Sequence, residues 1–453
     1  MTIMKNYFFQ IILLLVAGPT VAQSVLEQYL KQGVQSNLQL QQETLNYQRS
    51  VEGLALARSY FMPNLLVNAN YTLAGGGRNL QFPVGDLLNP VYATLNQITG
   101  SDRFPQISNV NEQLAPNNFH ETTLRVIQPI FNPDIYFGYK AQRDLVTVQQ
   151  AQKLAYENEL KYNILAAYYQ YWQTEEALQV IENGQRILRE ALRVNQTLVN
   201  TEKATRDAVY NTEYEISKLQ QQHAEMLKNR DVGQAYFNFL LNRPLTEPIL
   251  KDTLAMAVVM PAGQEITALQ AQALQQRQEV KQLQHALHAN EQLLALNRNS
   301  AALPKVVAVG DAGYQGFGYT FNNTQDYWLV QFRLTWDIFK GGEKRARTQQ
   351  ARIDYQVMEN KLAQTRQQIE WQVIQAYRTL QAAEQSYQTS HAGKTSAEKS
   401  FQIIQSKYRE GQAILLEFLD AQNKLTTAQI SVTMAQYELL RAQAAVQKTL
   451  STL

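Results

Sequence analysis

The sequence predicts a mainly α-helical chain that also carries four membrane-type β-strands and is written twice. Three observations lead there. Four stretches alternate apolar and polar side chains over about ten residues, the length and period of a transmembrane strand. Long stretches without proline or glycine keep apolar residues every seven positions, as coiled-coil helices do. The order helix, strand, loop, strand, long helix, helix then occurs once in each half of the chain.

The first element is a signal peptide over residues 1–22. Lys5 supplies the positive start and "YFFQIILLLVAG" the apolar core. Thr20, Val21 and Ala22 are the small residues ahead of cleavage before Gln23. A membrane anchor is the competing reading, but the apolar run is short and a polar, Gln- and Glu-rich chain follows. No later segment reaches about 18 apolar residues, so no further spanning helix is expected.

The first repeat covers residues 23–242. It opens with a helix over 27–58 and a strand over 63–73. In that strand Leu65, Val67, Ala69, Tyr71 and Leu73 oppose Asn64, Asn68, Asn70 and Thr72. A long polar loop over 75–118, expected on the cell exterior, leads to a second strand over 122–131. There Leu124, Val126 and Ile130 oppose Arg125, with Ile127 and Gln128 as exceptions. A long helix and a shorter one over 207–241 complete the repeat. Residues 243–263 hold three of the 12 prolines and read as the connector.

The second repeat, residues 264–453, follows the same plan. A helix over 268–299 precedes a weaker strand over 304–314, where Val306, Ala308, Ala312 and Tyr314 oppose Lys305 and Asp311. The strand over 330–339 is the clearest: Val330, Phe332, Leu334, Trp336 and Ile338 against Gln331, Arg333, Thr335 and Asp337. A helix over 344–408 then runs for about 100 Å at about 1.5 Å per residue. In the last helix Phe418, Leu425, Val432, Leu439 and Val446 recur every seven residues, with Ala421, Ala428, Ala435 and Ala442 three behind each. "LAAYY" (165–169) and "IQAYR" (374–378) stand at nearly the same offset in the two repeats.

Composition removes several function classes. Lys+Arg number 41 and Asp+Glu 39, which argues against a general grip on nucleic acid. The absence of cysteine excludes disulfides, thiolate metal sites, thiol catalysis and N-terminal cysteine lipidation. Gly341-Gly342-Glu343-Lys344 lacks the spacing of a phosphate loop and reads as a junction turn. His285 and His288 are one helical turn apart, but no third ligand has convincing spacing. Tyr168, Tyr169 and Tyr171 read as packing residues. No catalytic constellation, metal site or cofactor is expected, so the chain reads as no enzyme.

Alternating strands also fit a soluble sheet with one wetted face. In lipid, four strands cannot close a barrel, and an open edge cannot stand there. Two, three or four copies sharing one barrel would give eight, twelve or sixteen strands, and the sequence alone does not choose.

The doubled order, the strand-to-helix junction "DIFKGG" and the segment "KYREGQAILLEFLDAQNKLTTAQ" resemble the outer-membrane efflux protein family, the TolC-like ducts of Gram-negative tripartite exporters. That resemblance implies a homotrimer: a twelve-stranded barrel in outer-membrane lipid, continued by a coiled-coil tunnel in the periplasm. It implies a passive exit duct for efflux or type I secretion. The partners would be a periplasmic adaptor and a proton-driven or ATP-driven inner-membrane pump. Gly341 and Gly342, and Pro129 and Pro133 in the other half, match the strand–helix junctions. Val67, Leu334 and Trp336 would face lipid. Glu417 and Asp420 match an acidic pair that rings the family's periplasmic gate. Tyr408, just before Gly411, matches a gate-latch tyrosine whose partner aligns with Asp207. The arginine that completes the family's latch falls on Ala413, so the charged part of the lock is missing here. A secreted coiled-coil scaffold or adhesin, the competing class, explains the heptads but neither the strands nor the doubling.

Overall fold

The computed structural model describes residues 24–252 and 265–453. The expected signal peptide and the end of the expected connector lie outside the described residues. In chain order the elements are α1 (Val25–Ser36), α2 (Leu38–Ser59), β1 (Asn64–Thr72), β2 (Asn79–Phe82), α3 (Val84–Thr99), β3 (Val110–Gln113), β4 (Phe119–Phe131), α4 (Pro133–Asn200), α5 (Asp207–Leu240), α6 (Ile266–Gln276), α7 (Gln278–Ala302), β5 (Lys305–Phe317), β6 (Asp326–Thr335), α8 (Glu343–Arg409) and α9 (Leu415–Thr449). They form two units. One is helical and takes the described residues up to 49, with 147–286 and 358–453; the other, with the strands, takes 50–146 and 287–357.

In the helical unit, the heptad positions are the buried ones. Phe418, Ala421, Leu425, Val432, Ala435, Leu439, Ala442 and Val446 of α9 are all buried, as are Leu362, Ile369, Val373, Leu380 and Ala383 of α8. One core joins Tyr29, Leu160, Ile164, Tyr168, Phe237, Leu241 and Leu440. Its tyrosines also fasten the start of the connector: Leu250 N donates to Tyr29 Oη at 2.9 Å and Asp252 N to Tyr168 Oη at 2.6 Å. Burial pushes the Tyr168 hydroxyl up to about 12, so it stays neutral.

Two expected helices are each broken once. The stretch 27–58 is split at Asn37, whose backbone is extended. Asn37 Oδ1 accepts from Leu40 N at 3.0 Å and so caps α2, while its Nδ2 donates to Leu240 O at 2.9 Å. The stretch 268–299 is split at Arg277, also extended, which pairs with Glu279 at 2.5 Å and with Gln372 Oε1 at 2.5 Å. The break falls at the matching place in each half. Periodicity runs through both breaks, which is why the sequence reads as one helix in each case.

In the other unit, β1, β4, β5 and β6 form one antiparallel sheet in the order β1-β4-β5-β6. The register sorts its faces. Val67, Leu124, Ala312 and Trp328 stand opposite one another on one face. Val67 and Trp328 are 71% and 78% exposed there, and Leu334 of the same face is 62% exposed. The other face brings Arg125 opposite Asp311, joined by two hydrogen bonds of 2.7 and 2.9 Å. Tyr327 donates to Glu121 at 2.9 Å on that face. Polar groups are thus paired on one face, while the centre of the other is apolar, with His120, Thr122 and Asp326 toward the β4 start. β1 and β6 each keep one free edge within the chain.

The strands differ from expectation at their ends. β4 starts at Phe119 and β5 runs to Phe317, both longer than expected. β6 begins earlier, at Asp326, and stops at Thr335, so Trp336, Ile338 and Phe339 lie beyond it. The reason is the partner strand. Lys305 is the last residue opposite β6, pairing with Thr335, and Pro304 before it has no N–H to continue the ladder. Gly341 and Gly342 then adopt φ of +52° and +86°, which only glycine takes freely, and turn the chain into α8. On the other side, the ladder slips at Pro129, and Pro133 is the first residue of α4, where its missing N–H is harmless. The expected polar loop over 75–118 is partly structured: β2 and β3 pair, and α3 lies between them. Asp144 on α4 brings a carboxylate oxygen within 4.8 Å of a ring nitrogen of His288, a neighbour that spacing along the chain does not reveal.

Candidate functional site at the α4–α5 and α8–α9 turns

Two helical hairpin turns carry the residues singled out from the sequence. In the α8–α9 turn, Gly411 has φ of +74° and its N–H donates to Tyr408 O at 3.1 Å, so the chain reverses within a few residues. Around the turns a core of Ile181, Leu188, Ile216, Leu219, Phe401, Phe418 and Leu425 draws on all four helices.

Tyr408 is half-buried and stacks on Phe418, ring centroids 4.8 Å apart and planes 21° from parallel. Its hydroxyl donates to Asn195 Oδ1 on α4 at 2.6 Å. Asn195 Nδ2 in turn donates to Thr212 Oγ1 on α5 at 3.0 Å, and Thr212 donates to Ala208 O at 2.8 Å. Asn195 and Thr212 are buried. Tyr408 therefore meets Asn195 and not Asp207, the partner expected from the sequence. Asp207 opens α5 in an exposed position and accepts from Thr205 Oγ1. The physical reason is burial: the hydroxyl points into a closed site, where an amide satisfies it without the desolvation that a carboxylate suffers. Burial also raises the Tyr408 pKa, outweighing the opposing hydrogen bond to Asn195.

Sequence reasoning missed Asn195 and Thr212, yet a signal exists. Ile181, Leu188 and Asn195 are spaced by seven, as are Thr212, Leu219 and Met226. A polar residue closing an otherwise apolar series on each of two consecutive helices marks a buried polar pair.

Glu417 and Asp420 are both exposed, while Phe418 and Leu419 between them are buried. Each acid has a local partner. Glu417 Oε2 accepts from Ile414 N at 3.2 Å and so caps α9. Asp420 pairs with Lys424 one turn on, at 2.6 Å. Ala413 lines a groove of about 700 Å³ together with Arg186, Glu190, Tyr408, Arg409 and Phe418. The Arg193 guanidinium beside Glu190 holds that carboxyl below its ordinary range.

Comparison with known proteins bears out the resemblance read from the sequence. Residues 269–452 match the family model described as outer membrane efflux protein. The probable efflux pump outer membrane protein TtgC and the antibiotic efflux pump outer membrane protein ArpC, both of Pseudomonas putida, are each 24% identical over 258 residues. That is 56% of this chain and 51% of theirs, so the chain spans about half the length of the curated relatives it matches. Among solved structures, the outer-membrane channel OprN aligns with a TM-score of 0.79 at 15% identity, over 95% of this chain and 90% of its own. CusC aligns at 0.77 and 16% identity, over 94% and 91%. The CmeC outer membrane channel of Campylobacter jejuni aligns at 0.75 and 15% identity, over 94% and 86%. Within a chain that has the TolC-like channel fold, residues 269–452 therefore carry the outer membrane efflux protein domain.

Proposed function

We propose that this protein is an outer-membrane exit duct of a Gram-negative tripartite efflux or type I secretion system. Three copies share a twelve-stranded barrel, and their helices form a periplasmic tunnel. The observation that carries the reading is the four-stranded sheet: one face is apolar and exposed, the other holds paired polar groups, and both edges are free. In lipid such edges must be paired, and further copies of the same sheet supply the partners. The likeness to outer-membrane efflux proteins over residues 269–452 supports the same conclusion.

The duct is passive and catalyses no reaction. Energy comes from a proton-driven or ATP-driven inner-membrane pump, reached through a periplasmic adaptor, and the pump sets the cargo. The chain is organised as a signal peptide over 1–22, repeats over 23–242 and 264–453, and a connector over 243–263. At the periplasmic end the Tyr408–Asn195–Thr212 relay ties α8 to α4 and α5 and holds the tip closed. Tyr408 and Gly411 belong to that latch and Asp207 does not. Glu417 and Asp420 line the narrowed pore.

Fractionation tests the duct reading. A detergent-resistant trimer in outer-membrane fractions, falling to monomer on heating, is the expected result. A monomer released in soluble form overturns it. Crosslinking from cysteines placed at the tip, in cells, identifies the adaptor.

A further inference from the structure

The helix α3 is built the wrong way round for a free surface helix. Two of its asparagines, Asn89 and Asn96, turn toward the segment that follows the helix. Asn109 Oδ1 accepts from Gly85 N and Asp86 N at 2.9 and 3.1 Å, and Asn109 Nδ2 donates to Asp86 Oδ2 at 2.9 Å. Asn89 makes a double bond-pair with the backbone of Ile107, at 2.8 and 2.9 Å, and Asn96 does the same with Phe104, at 2.7 and 3.0 Å. Tyr92 packs on Phe104 at 5.8 Å between ring centroids. The helix is thus clamped to the segment 104–109 by its polar side.

Its apolar side faces out. Leu87, Val91 and Ile98 are 69%, 51% and 75% exposed. With Thr94 they are spaced four, three and four residues apart, the spacing of a coiled-coil seam, and Val91, Thr94 and Ile98 are β-branched and so stiff at χ1. Thr94 Oγ1 already donates to Pro90 O at 2.8 Å, so it makes no polar demand on that face.

We propose that this stripe is an interface between copies of the chain: α3 of one copy packs along α3 of its neighbours and forms a helical collar at the outer mouth of the barrel. The proposal rests on the shared barrel proposed above. Two observations choose a second copy over lipid. α3 contains no Lys or Arg to meet lipid headgroups and no Trp or Phe to anchor at the interface. And the segment carrying α3 leaves directly from β1, an edge strand of the sheet, so it starts at the seam between copies. Distance permits the contact. Twelve strands about 4.8 Å apart and tilted by about 40° make a barrel roughly 25 Å across, with equivalent points of adjacent copies about 20 Å apart. The stretch from Thr72 to Val84 can extend on the order of 40 Å.

The chain has no cysteine, so single introduced thiols report the contact cleanly. Val91→Cys and Ile98→Cys lie on the stripe; Gln97→Cys is exposed but off it. After mild oxidation of the assembled protein in outer-membrane vesicles, the two stripe variants should give on the order of tenfold more covalent pairs than Gln97→Cys. They should also resist a bulky maleimide that labels Gln97→Cys. A heat-modifiable trimer whose Val91 and Ile98 thiols neither pair nor resist the maleimide overturns the collar and leaves the duct reading intact. A maleimide-resistant thiol that pairs with no copy assigns the stripe to lipid and also overturns the collar. Loss of the trimer in the unsubstituted protein overturns the duct reading and the collar with it.

Discussion

Tyr408 on α8 and Asn195 on α4 meet through a single 2.6 Å hydrogen bond, and both partners are uncharged. The bond closes a relay that continues to Thr212 on α5. Three helices are therefore tied at one buried point without an ion pair. Ala413 stands where the resembled family has an arginine, and the bonds that join these helices are neutral.

Replacing Tyr408 by Phe keeps the ring on Phe418 and removes only the hydroxyl. Asn195 Oδ1, buried with its residue 1% exposed, is then left without its donor. Such a loss costs about 1–3 kcal/mol. If the relay holds the tip closed, basal conductance in planar bilayers should rise for Tyr408→Phe and rise similarly for Asn195→Ala. Asp207→Ala should leave it unchanged. An Asp207 effect as large as that of Tyr408 would return the latch to the pairing expected from the sequence.

A neutral latch also has a pH signature. Burial raises the Tyr408 pKa above its unfolded value near 10, so its contribution to the closed state is complete below about pH 10 and is lost as pH rises through the folded pKa. Basal conductance should stay flat between about pH 6 and pH 9. A steep rise within that window would point to a carboxylate or histidine in the latch.

Much of this fold is legible in sequence because two periods dominate it. Period seven places α9 against its neighbours, and Phe418 through Val446 are buried as that period requires. Period two places the sheet faces, and Val67 and Leu334 are exposed on the apolar face as expected. What stays hidden has no period. The breaks at Asn37 and Arg277 come from side chains that satisfy backbone and distant groups. The end of β6 is set by Pro304 just ahead of the partner strand β5, so Trp336 continues the alternation without continuing the strand. Tyr408 was singled out from the sequence, but its hydrogen-bond partner depends on how deep α8 sits against α4, which spacing along one chain does not contain.

The break at Arg277 makes a pH prediction for stability. Burial of Glu279 raises its pKa, but the hydrogen bond and charge of Arg277 outweigh burial, and the net shift is downward. The stabilisation is therefore present above the unfolded value near 4.3 and is lost as pH falls through the lower folded value. Arg277→Ala should destabilise the helical unit by about 1–2 kcal/mol at pH 7, because it strips the partner from a half-buried carboxylate and from Gln372. Thermal melts at pH 7 and pH 3.5 check this: the gap between wild type and variant should narrow at the lower pH.

The two sheet faces should respond differently to charge. Leu334→Arg or Val67→Arg puts a cation on the apolar face, at about 2–4 kcal/mol near the bilayer midplane. Arg333 and Asn68 lie on the opposite face, and Arg333→Gln or Asn68→Arg should be mild. Equilibrium refolding into lipid vesicles measures the difference. Equal tolerance on both faces would remove the barrel assignment.

The acidic pair gives the sharpest test of the pore. Glu417 and Asp420 are three residues apart, so one helical face presents both, and the buried Phe418 and Leu419 hold that face away from the core. Threefold symmetry would gather three copies of each near the axis, where rings of carboxylates favour cations. Their local partners make the two rings unequal. Lys424 pairs with Asp420 at 2.6 Å and offsets much of its charge, whereas Glu417 accepts only the backbone N–H of Ile414. In that arrangement the net negative charge at the axis would be carried mainly by Glu417. Glu417→Gln, which keeps an oxygen to cap α9, should reduce cation selectivity and weaken block by trivalent cations. Asp420→Asn should reduce them too, since it leaves Lys424 unpaired beside the pore. Lys424→Ala should do the opposite and strengthen both, by releasing the Asp420 ring. Single-channel reversal potentials in a salt gradient read all three. Selectivity that ignores Lys424→Ala as well as Glu417→Gln would place the pair on a solvated helix face, outside the pore.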